Sequence, residues 1–287
     1  LFDWPGLRAA VINVDDPQGA ALAAELRTRG SLDLWTVSTQ APARLVARQL
    51  RYERRGLAFE AIEAASASPS ASASASNTAT LASTLVGDYN ASNLLGVLAA
   101  LRALGHPLAE AAHALSQVAA VPGRLQRIAG PQVEVVVDYA HTPDALEKVL
   151  GALRPLAVAR GGRLVCVFGC GGDRDATKRA LMGGIAERGA DHVVVTSDNP
   201  RGEVPRAIMD HIRAGMSAAA ALRTDFIEDR REAIVHAIGN AATGDVVLLA
   251  GKGHEDYQEI AGVRRPFSDL DEAHAALARR DARSAAR

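Results

Sequence analysis

From residue 132 onward, short apolar runs alternate with segments of helical spacing, and this alternation limits the fold more than any other feature of the chain. Four runs have the length and composition of buried strands: Val133–Val137, Leu164–Phe168, His192–Thr196 and Val246–Leu249. Strands that alternate with helices build a mostly parallel sheet with helices on both faces. The sequence therefore predicts an α/β domain over this part of the chain.

Helix signals fill the intervals between these strands. A capping threonine followed by proline, and an aspartate three residues before a glutamate, are typical of helix starts. The expected helices begin at, or span, Thr142–Pro143, 178–188, 205–216, the capping-box pair Asp229 and Glu232, and Ser268 with Asp271.

The first 120 residues predict a separate domain, 1–120, and the Val121-Pro122-Gly123-Arg124 break marks its boundary with a second domain, 121–287. The expected elements are a strand at 9–14, a helix at 18–29, a strand at 32–37, strand or hairpin material at 43–62, and helices at 90–104 and 108–118.

Two segments of this first domain have distinct patterns. The Ala-Ser-rich stretch Ala64–Ser83 is predicted to be a flexible loop, because it cannot bury much apolar surface. The helix at 90–104 is expected to pack through one apolar face, formed by Leu94, Val97, Leu98, Leu101 and Leu104.

Polar residues or glycines follow each strand of the second domain. The segments are Asp138–His141, Gly169–Asp175, Asp198–Arg201 and Gly251–Glu255. Ligands of parallel α/β sheets bind at the carboxyl ends of the strands. One polar turn would mean little, but four at one edge predict a binding site.

Asp198-Asn199-Pro200-Arg201 places an acid, an amide and a guanidinium within one short loop. Pro200 restricts the loop backbone. Arg201 suits a carboxylate, and Asp198 or Asn199 suits an ammonium group, so the loop suits a zwitterion. From these residues alone, a helix cap with a solvated arginine is an open alternative.

Two glycine-containing loops accompany it. Gly169–Asp175 can cradle an anion through its N–H groups, with Arg174 as a carboxylate partner, although a tight turn is the alternative. It is not a Walker A loop. Gly251–Glu255 adds a carboxylate; Lys252 can meet phosphate or lie at the surface, and His254 is expected to be structural.

Two further pairs are candidate ligand-binding residues. Asn90 and Asn93 share one face of a helix start, where they can cap the helix or bind a ligand. Asp138 can hold a ribose hydroxyl or water, and His141 can stack or form a hydrogen bond. A hydrolytic triad is not expected, because no serine or cysteine nucleophile accompanies His141.

Composition excludes several classes of protein. The net charge of -1 gives no electrostatic case for nucleic acid or an anionic membrane. Cys166 and Cys170 match neither a zinc pattern nor a disulfide framework, which favours a reducing cytoplasm. No apolar run is long enough to span a bilayer.

The chain opens at Leu1 rather than methionine, and we expect a fragment whose front is missing.

Seven ordered stretches resemble the Mur ligases, a family of amide-forming enzymes. They are AAVINVDD (9–16), GDYNASN (87–93), VPGR (121–124), VDYAHTPDA (137–145), VFGCGGDRD (167–175), DNPR (198–201) and AGKGHEDYQ (250–258). The resemblance covers nearly the whole chain outside the Ala-Ser stretch.

This resemblance implies a domain plan. Residues 1–120 would be the back half of the central ATP-binding domain, and 121–287 a Rossmann-like carboxy-terminal domain that binds the amino acid. ATP and Mg²⁺ are the implied cofactors. The family's ATP loop and metal ligands would precede Leu1, so no metal ligand is expected within this chain.

Residue roles carry over by the same resemblance. The implied catalytic residues, on the side of the nucleotide, are Asn90, Asn93, Arg124, Asp138 and His141. The implied pocket for meso-diaminopimelate is formed by Arg174, Asp198, Asn199, Pro200, Arg201, Gly251 and Glu255.

The implied function is ATP-dependent addition of meso-2,6-diaminopimelate to UDP-N-acetylmuramoyl-L-alanyl-D-glutamate through an acyl phosphate, in peptidoglycan precursor synthesis. A cytoplasmic monomer with no nucleic-acid or membrane partner is expected. The alternatives are a non-catalytic ligand-binding fragment, or a Mur-type or folylpolyglutamate-type ligase for another amino acid. A Rossmann-like dehydrogenase is not favoured, because the full dinucleotide fingerprint is absent.

Overall fold

The computed structural model describes residues 2–53, 56–64, 77–130 and 132–285. The chain divides into two compact units, Leu1–Ala119 and Ala120–Arg287. Within the described residues, no helix is both long enough and apolar enough to cross a membrane.

The first unit is built on a five-stranded sheet in the order β1-β2-β3-β4-β5. The first three strands are parallel, and the last two pair antiparallel. Its elements are β1 (Ala9–Asn13), α1 (Pro17–Arg29), β2 (Asp33–Ser38), β3 (Leu45–Glu53), β4 (Gly56–Glu63), β5 (Asn77–Ala82), α2 (Asp88–Ala103) and α3 (Leu108–Ser116).

Helix α2 packs on this sheet through a face that differs from the predicted one. Ala91, Leu94, Leu95 and Leu98 are buried, which is the i, i+3, i+4, i+7 stripe of a packed helix. Val97 and Leu104 were predicted to be buried but are 48% and 72% exposed. The prediction failed because it counted only large side chains and overlooked Ala91.

The prediction of a loop over Ala64–Ser83 is wrong at its end. Residues 77–82 form strand β5, which pairs with β4 from Asn77 to Ala82 and buries Leu81. The ladder of hydrogen bonds outweighs the weak burial potential of this alanine- and threonine-rich segment. Residues 65–76 of the predicted loop lie outside the described residues.

The second unit is built on a six-stranded sheet in the order β10-β9-β8-β11-β7-β6, parallel except for β6, with a separate β12-β13 hairpin. This confirms the predicted α/β class. Its elements are β6 (Gln126–Ala129), β7 (Glu134–Asp138), α4 (Pro143–Ala159), β8 (Leu164–Phe168), α5 (Thr177–Gly189), β9 (His192–Val195), α6 (Pro205–Arg213), α7 (Ala218–Ala221), β10 (Asp225–Phe226), α8 (Arg230–Asn240), β11 (Val246–Ala250), β12 (Tyr257–Ile260), β13 (Val263–Pro266) and α9 (Asp269–Ala285).

Helices cover both faces of this sheet, so every residue of β7, β8 and β11 is buried. Helices α8 and α9 pack on one face, and α4 contacts β8 and β11 from the other. The predicted helix starts are confirmed: Thr142 caps α4 through the N–H of Ala145, and Asp229 caps α8 through the N–H of Glu232. Because the helices cover both faces of the sheet, polar groups can cluster only at the ends of its strands.

Candidate functional site

The carboxyl ends of β7, β8, β9 and β11 lie along one edge of the second sheet, because these strands are mutually parallel. Strand β6 runs antiparallel to β7, so the turn that precedes it, Gly123–Leu125, reaches the same edge. The structure therefore gathers the four polar segments expected from the sequence, together with this turn.

Asp198 lies in an acidic pocket at this edge. Its side chain is buried, and its Oδ1 receives no hydrogen bond from any described residue. A Cβ at Gly251 would lie 3.2 Å from Oδ2, so the glycine leaves room beside that oxygen. Burial raises the pKa of Asp198, although the charges of Arg230 and Lys252 oppose that shift. A buried carboxylate whose oxygen accepts no hydrogen bond is suited to a cationic or N–H group of a ligand.

Lys252 provides a cation inside this pocket, and its side chain is fully buried. Its Nζ donates to Asn199 Oδ1 at 3.0 Å, to the Tyr257 carbonyl at 2.7 Å and to Glu255 Oε2 at 3.3 Å. Asp198 Oδ1 lies 3.5 Å from the same Nζ. The surface position that the sequence left open for Lys252 is wrong, because these oxygens compensate the buried ammonium.

Asn199 connects two strand ends within the protein. Its Nδ2 donates to Glu255 Oε2 at 2.9 Å, and its Oδ1 accepts from Lys252 and, at 3.0 Å, from the N–H of Glu259. These bonds occupy the amide, so Asn199 fixes the carboxylate of Glu255. Of the two residues considered for an ammonium group, Asp198 is the one with an oxygen, Oδ1, that receives no hydrogen bond from the described residues.

Arg201 presents a half-buried guanidinium that pairs with no carboxylate in the described part of the chain. Its φ of 52° is a left-handed conformation that is unfavourable for residues other than glycine. Backbone hydrogen bonds to Glu259 and Ala261 hold it there. Among the described residues, the side chain donates only to carbonyls, including that of Gly172 at 2.9 Å. The guanidinium is therefore held in place and available to a ligand carboxylate.

The helix-cap alternative for this loop is excluded. Helix α6 begins at Pro205, with Val204 at its cap, well past Asp198. Pro200 is buried, and a Cβ at Gly172 would lie 1.8 Å from its carbonyl oxygen. The loop after β9 thus packs directly against the glycine loop after β8.

An ion pair between a buried arginine and a half-buried glutamate holds these two loops together. Arg179 donates to both carboxylate oxygens of Glu203, at 2.9 and 2.7 Å. Glu203 also accepts from the N–H of Asp173 at 2.7 Å. The hydrogen bonds from Arg179 lower the pKa of Glu203 to about 2. The clamp sets the loop of Arg174 relative to the loop of Arg201, and no sequence pattern singled out either partner.

Arg174 and Cys170 occupy the glycine loop itself. Arg174 is exposed and has no carboxylate partner in the described segments; its Nη1 lies 3.5 Å from the Asp173 carbonyl. Cys170 is buried against Met182, and burial raises the pKa of its thiol to about 12. The thiol is therefore protonated at neutral pH and is no nucleophile.

Arg230 supports the pocket from within the protein. It is fully buried and paired with Asp269. It also donates to the carbonyls of Ser197 at 3.4 Å and Ala250 at 3.0 Å, which precede Asp198 and Gly251. Sequence reasoning missed this residue, because a helix-start arginine is normally solvated.

A second group of side chains surrounds Tyr139. The Arg124 guanidinium lies 5.0 Å from the centre of the Tyr139 ring, and the rings of His141 and His254 lie 4.6 and 5.5 Å from it. His141 Nδ1 donates to the Tyr139 carbonyl at 2.8 Å, which leaves Nε2 as the free nitrogen of the ring. A cation beside aromatic faces suits a nucleotide, with Arg124 for its phosphates.

Asp138 holds the turn that carries Arg124. Its Oδ2 accepts from the N–H of Leu125 at 2.7 Å, and its Oδ1 from the N–H of Ala140 at 2.8 Å. Burial raises the pKa of Asp138, and these two hydrogen bonds oppose the shift. The carboxylate therefore holds the backbone of Leu125 and Ala140 in place.

Asn90 and Asn93 lie in the first unit, on one face of α2 as expected. The helix begins at Asp88, with Gly87 at its cap and no side-chain cap. Asn90 Nδ2 donates to the Val86 carbonyl at 2.7 Å, and Asn93 Nδ2 donates to Asn90 Oδ1 at 3.1 Å. The capping alternative is wrong, because both residues fall after the helix start.

A magnesium site does not fit the described residues. Within them, no three histidine, cysteine, aspartate or glutamate side chains come together in a way that could hold a metal ion. No catalytic step is therefore assigned to a metal held by this part of the protein.

Two family models match the chain. The model of the Mur ligase middle domain matches residues 1–101, and that of the Mur ligase glutamate ligase domain matches residues 123–253.

Individual relatives agree with these models. The chain is 56% identical, over 98% of its length, to UDP-N-acetylmuramoyl-L-alanyl-D-glutamate--2,6-diaminopimelate ligase of Acidovorax sp. strain JS42, and 53% identical, over 97%, to the protein of the same name from Pseudomonas aeruginosa. A solved structure of that name superposes with a TM-score of 0.73 at 38% identity, over 96% of this chain and 54% of the other. The chain spans about half the length of the curated relatives it matches, 53% and 54%.

Proposed function

The chain belongs to the Mur ligase family, and from that membership we propose that it is part of the ATP-dependent ligase that joins meso-2,6-diaminopimelate to UDP-N-acetylmuramoyl-L-alanyl-D-glutamate. The second unit would hold the amino acid. The Tyr139 group would face the nucleotide. The reaction belongs to peptidoglycan precursor synthesis, and we place it in the cytoplasm, with the ligase acting as a monomer.

One observation carries the choice of amino acid: among the described residues, the half-buried guanidinium of Arg201 has no carboxylate partner, and Oδ1 of Asp198 in the same loop receives no hydrogen bond. The far end of diaminopimelate carries one carboxylate and one ammonium group on the same carbon. Arg201, assisted by Arg174, would bind that carboxylate, and Asp198 with Glu255 would bind that ammonium.

Lysine fits this pocket poorly, because it has no carboxylate at its far end. Binding lysine would leave Arg201 desolvated without an anionic partner, which is unfavourable. The pocket would thus select the amino acid by pairing its charges, while the amine at the other end is left free to react.

The reacting amine would be directed by the fixed geometry of the pocket. The Arg179–Glu203 clamp and the Arg230–Asp269 pair hold the loops that bind the far end, so the near amine would be offered in one orientation. ATP would supply the phosphoryl group that activates the D-glutamyl carboxylate. Arg124 would bind its phosphates.

The remaining nucleotide-side residues follow from the family. Asn90 and Asn93 would bind near the nucleotide from the first unit, and His141 would offer its free Nε2. Asp138 would act through Arg124, because its oxygens hold the turn on which Arg124 lies. Magnesium would be held by residues of the full-length ligase that are not in this chain.

The proposal is tested with the full-length ligase that contains this chain. It is incubated with ATP, Mg²⁺ and UDP-N-acetylmuramoyl-L-alanyl-D-glutamate, and meso-diaminopimelate is then added. We expect phosphate release together with a product whose mass is larger by one diaminopimelate residue. ATP turnover that does not respond to diaminopimelate, with no such product, would contradict the proposal.

A further inference from the structure

We propose that Lys252 sets the charge of the amino-acid pocket: its ammonium neutralises one carboxylate of the Asp198–Glu255 pair, so that the pair accepts one further cation, the ammonium of the ligand. This inference rests on the proposed function and adds a positioning residue to it.

The buried charges of the pocket leave one negative charge in excess. Three carboxylates, those of Asp198, Glu255 and Asp269, face two cations, Arg230 and Lys252. The groups next to the pair are the Cys170 thiol, and the Tyr257 and Phe267 rings beside Lys252 Nζ. The charged groups farther out are compensated in other ways: Arg179 pairs with Glu203, Arg264 over the Tyr257 ring pairs with Glu259, and Lys178 donates to the His141 carbonyl. Arg201 is left for the carboxylate of the ligand. A pocket that buries one unbalanced negative charge favours a ligand with one positive group at this position.

The hydrogen bonds of Lys252 explain why it does not block that position. An ammonium group has three N–H donors. All three are used by Asn199 Oδ1, the Tyr257 carbonyl and Glu255 Oε2. Asp198 Oδ1 lies 3.5 Å away and receives no hydrogen bond from the described residues. Lys252 therefore stabilises the charge of Asp198 without using Oδ2, the oxygen beside Gly251 that is left for the ligand.

Loss of Lys252 would change how the pocket binds protons. Two neighbouring carboxylates in a buried site hold one proton between them when no cation separates their charges. A ligand ammonium would then have to displace that proton. Its binding would weaken as the pH falls, whereas Lys252 makes displacement unnecessary in the natural protein.

The test measures KM for meso-diaminopimelate in the full-length ligase, at saturating ATP and UDP-linked substrate, at pH 6.5 and 8.5. Lys252→Met is compared with the unmodified ligase at each pH, so that titration of the ligand cancels. We expect the ratio of the two KM values to be about tenfold larger at pH 6.5 than at 8.5, with kcat changed less than KM. A KM ratio that is equal at pH 6.5 and 8.5 would overturn the proposal. If Lys252 had only a structural role, its loss would raise KM by the same factor at both pH values.

A double variant separates charge from folding. Lys252→Met/Glu255→Gln removes one cation and one carboxylate together, so it restores the charge balance. We expect it to fold, to lose the extra pH dependence and to have a KM close to that of Glu255→Gln alone. Additive increases in KM, or a double variant that is less stable than Lys252→Met, would contradict the charge-setting role. If the unmodified ligase shows no response to diaminopimelate, the proposed function fails instead.

Discussion

Arg230 and Asp269 form a fully buried, bidentate ion pair in which both N–O distances are 2.7 Å. The same guanidinium binds the carbonyls of Ser197 and Ala250, at the ends of two neighbouring strands. One buried side chain therefore fixes the backbone from which Asp198 and Gly251 project. The pocket is built on a rigid support rather than on free loops.

Removal of Arg230 should be costly. Arg230→Met leaves the carboxylate of Asp269 buried without a partner, and we expect the free energy of unfolding to fall by about 3–5 kcal/mol. The matched control is Arg231→Met, because Arg231 is the next residue and its side chain, paired with Glu272, is 57% exposed. We expect that change to cost about 1 kcal/mol or less. Similar losses in urea unfolding of the two variants would contradict the role assigned to Arg230.

The Glu203 clamp should make stability depend on pH in the acid range. Its pKa in the folded protein, about 2, is below the ordinary value of 4.5, so its contribution is complete above pH 4.5 and is lost as the pH falls towards 2. Glu203→Gln should therefore lower the free energy of unfolding at pH 6, with a difference from the unmodified protein that shrinks between pH 5 and 2.

Arg179→Met should remove the same pH-dependent part of the free energy of unfolding, because the hydrogen bonds from Arg179 lower the pKa of Glu203. Unfolding curves measured across this range would decide the matter. A difference that stays constant from pH 6 to 2 would show that Glu203 acts without its charge.

Gly251 should be required for binding of diaminopimelate as well as for the backbone conformation. Its φ is 119°, and an added Cβ would lie 3.2 Å from Asp198 Oδ2. Gly262 is a matched control, since its φ of 74° is also positive but an added Cβ meets nothing within 4 Å. We expect both alanine variants to lose some stability, and only Gly251→Ala to raise KM for diaminopimelate, by about tenfold or more. Equal KM values for the two variants would refute the contact with Asp198.

The parts of the fold that repeat a simple rule could be predicted from the sequence. The strand from Leu164 to Phe168 was expected from its apolar run, and the starts of α4 and α8 from Thr142 and Asp229. These features depend on residues close together in the chain. Strand β5 was missed because its stability comes from pairing with β4, which local composition does not reveal.

The site shows the same limit. The order of the strands places Asp198 and Glu255 at one edge, so their proximity followed from the α/β pattern. The burial of Lys252 and the Arg179–Glu203 pair could not be predicted from the sequence. Each depends on which loops pack against one another at the ends of the strands. A lysine or arginine in a sequence is expected at the surface unless its partners are known.

The most direct test of the account is the selectivity of the full-length ligase for meso-diaminopimelate over lysine, measured as the ratio of kcat/KM values. We expect a ratio of at least about a thousand, because lysine leaves Arg201 without a carboxylate. Arg201→Ala should lower kcat/KM for diaminopimelate about a hundredfold or more and reduce the ratio. Arg206→Ala, at an exposed arginine in the first turn of α6, should leave both unchanged. A ratio near one in the unmodified ligase, or a ratio that Arg201→Ala does not alter, would contradict the assignment of this pocket.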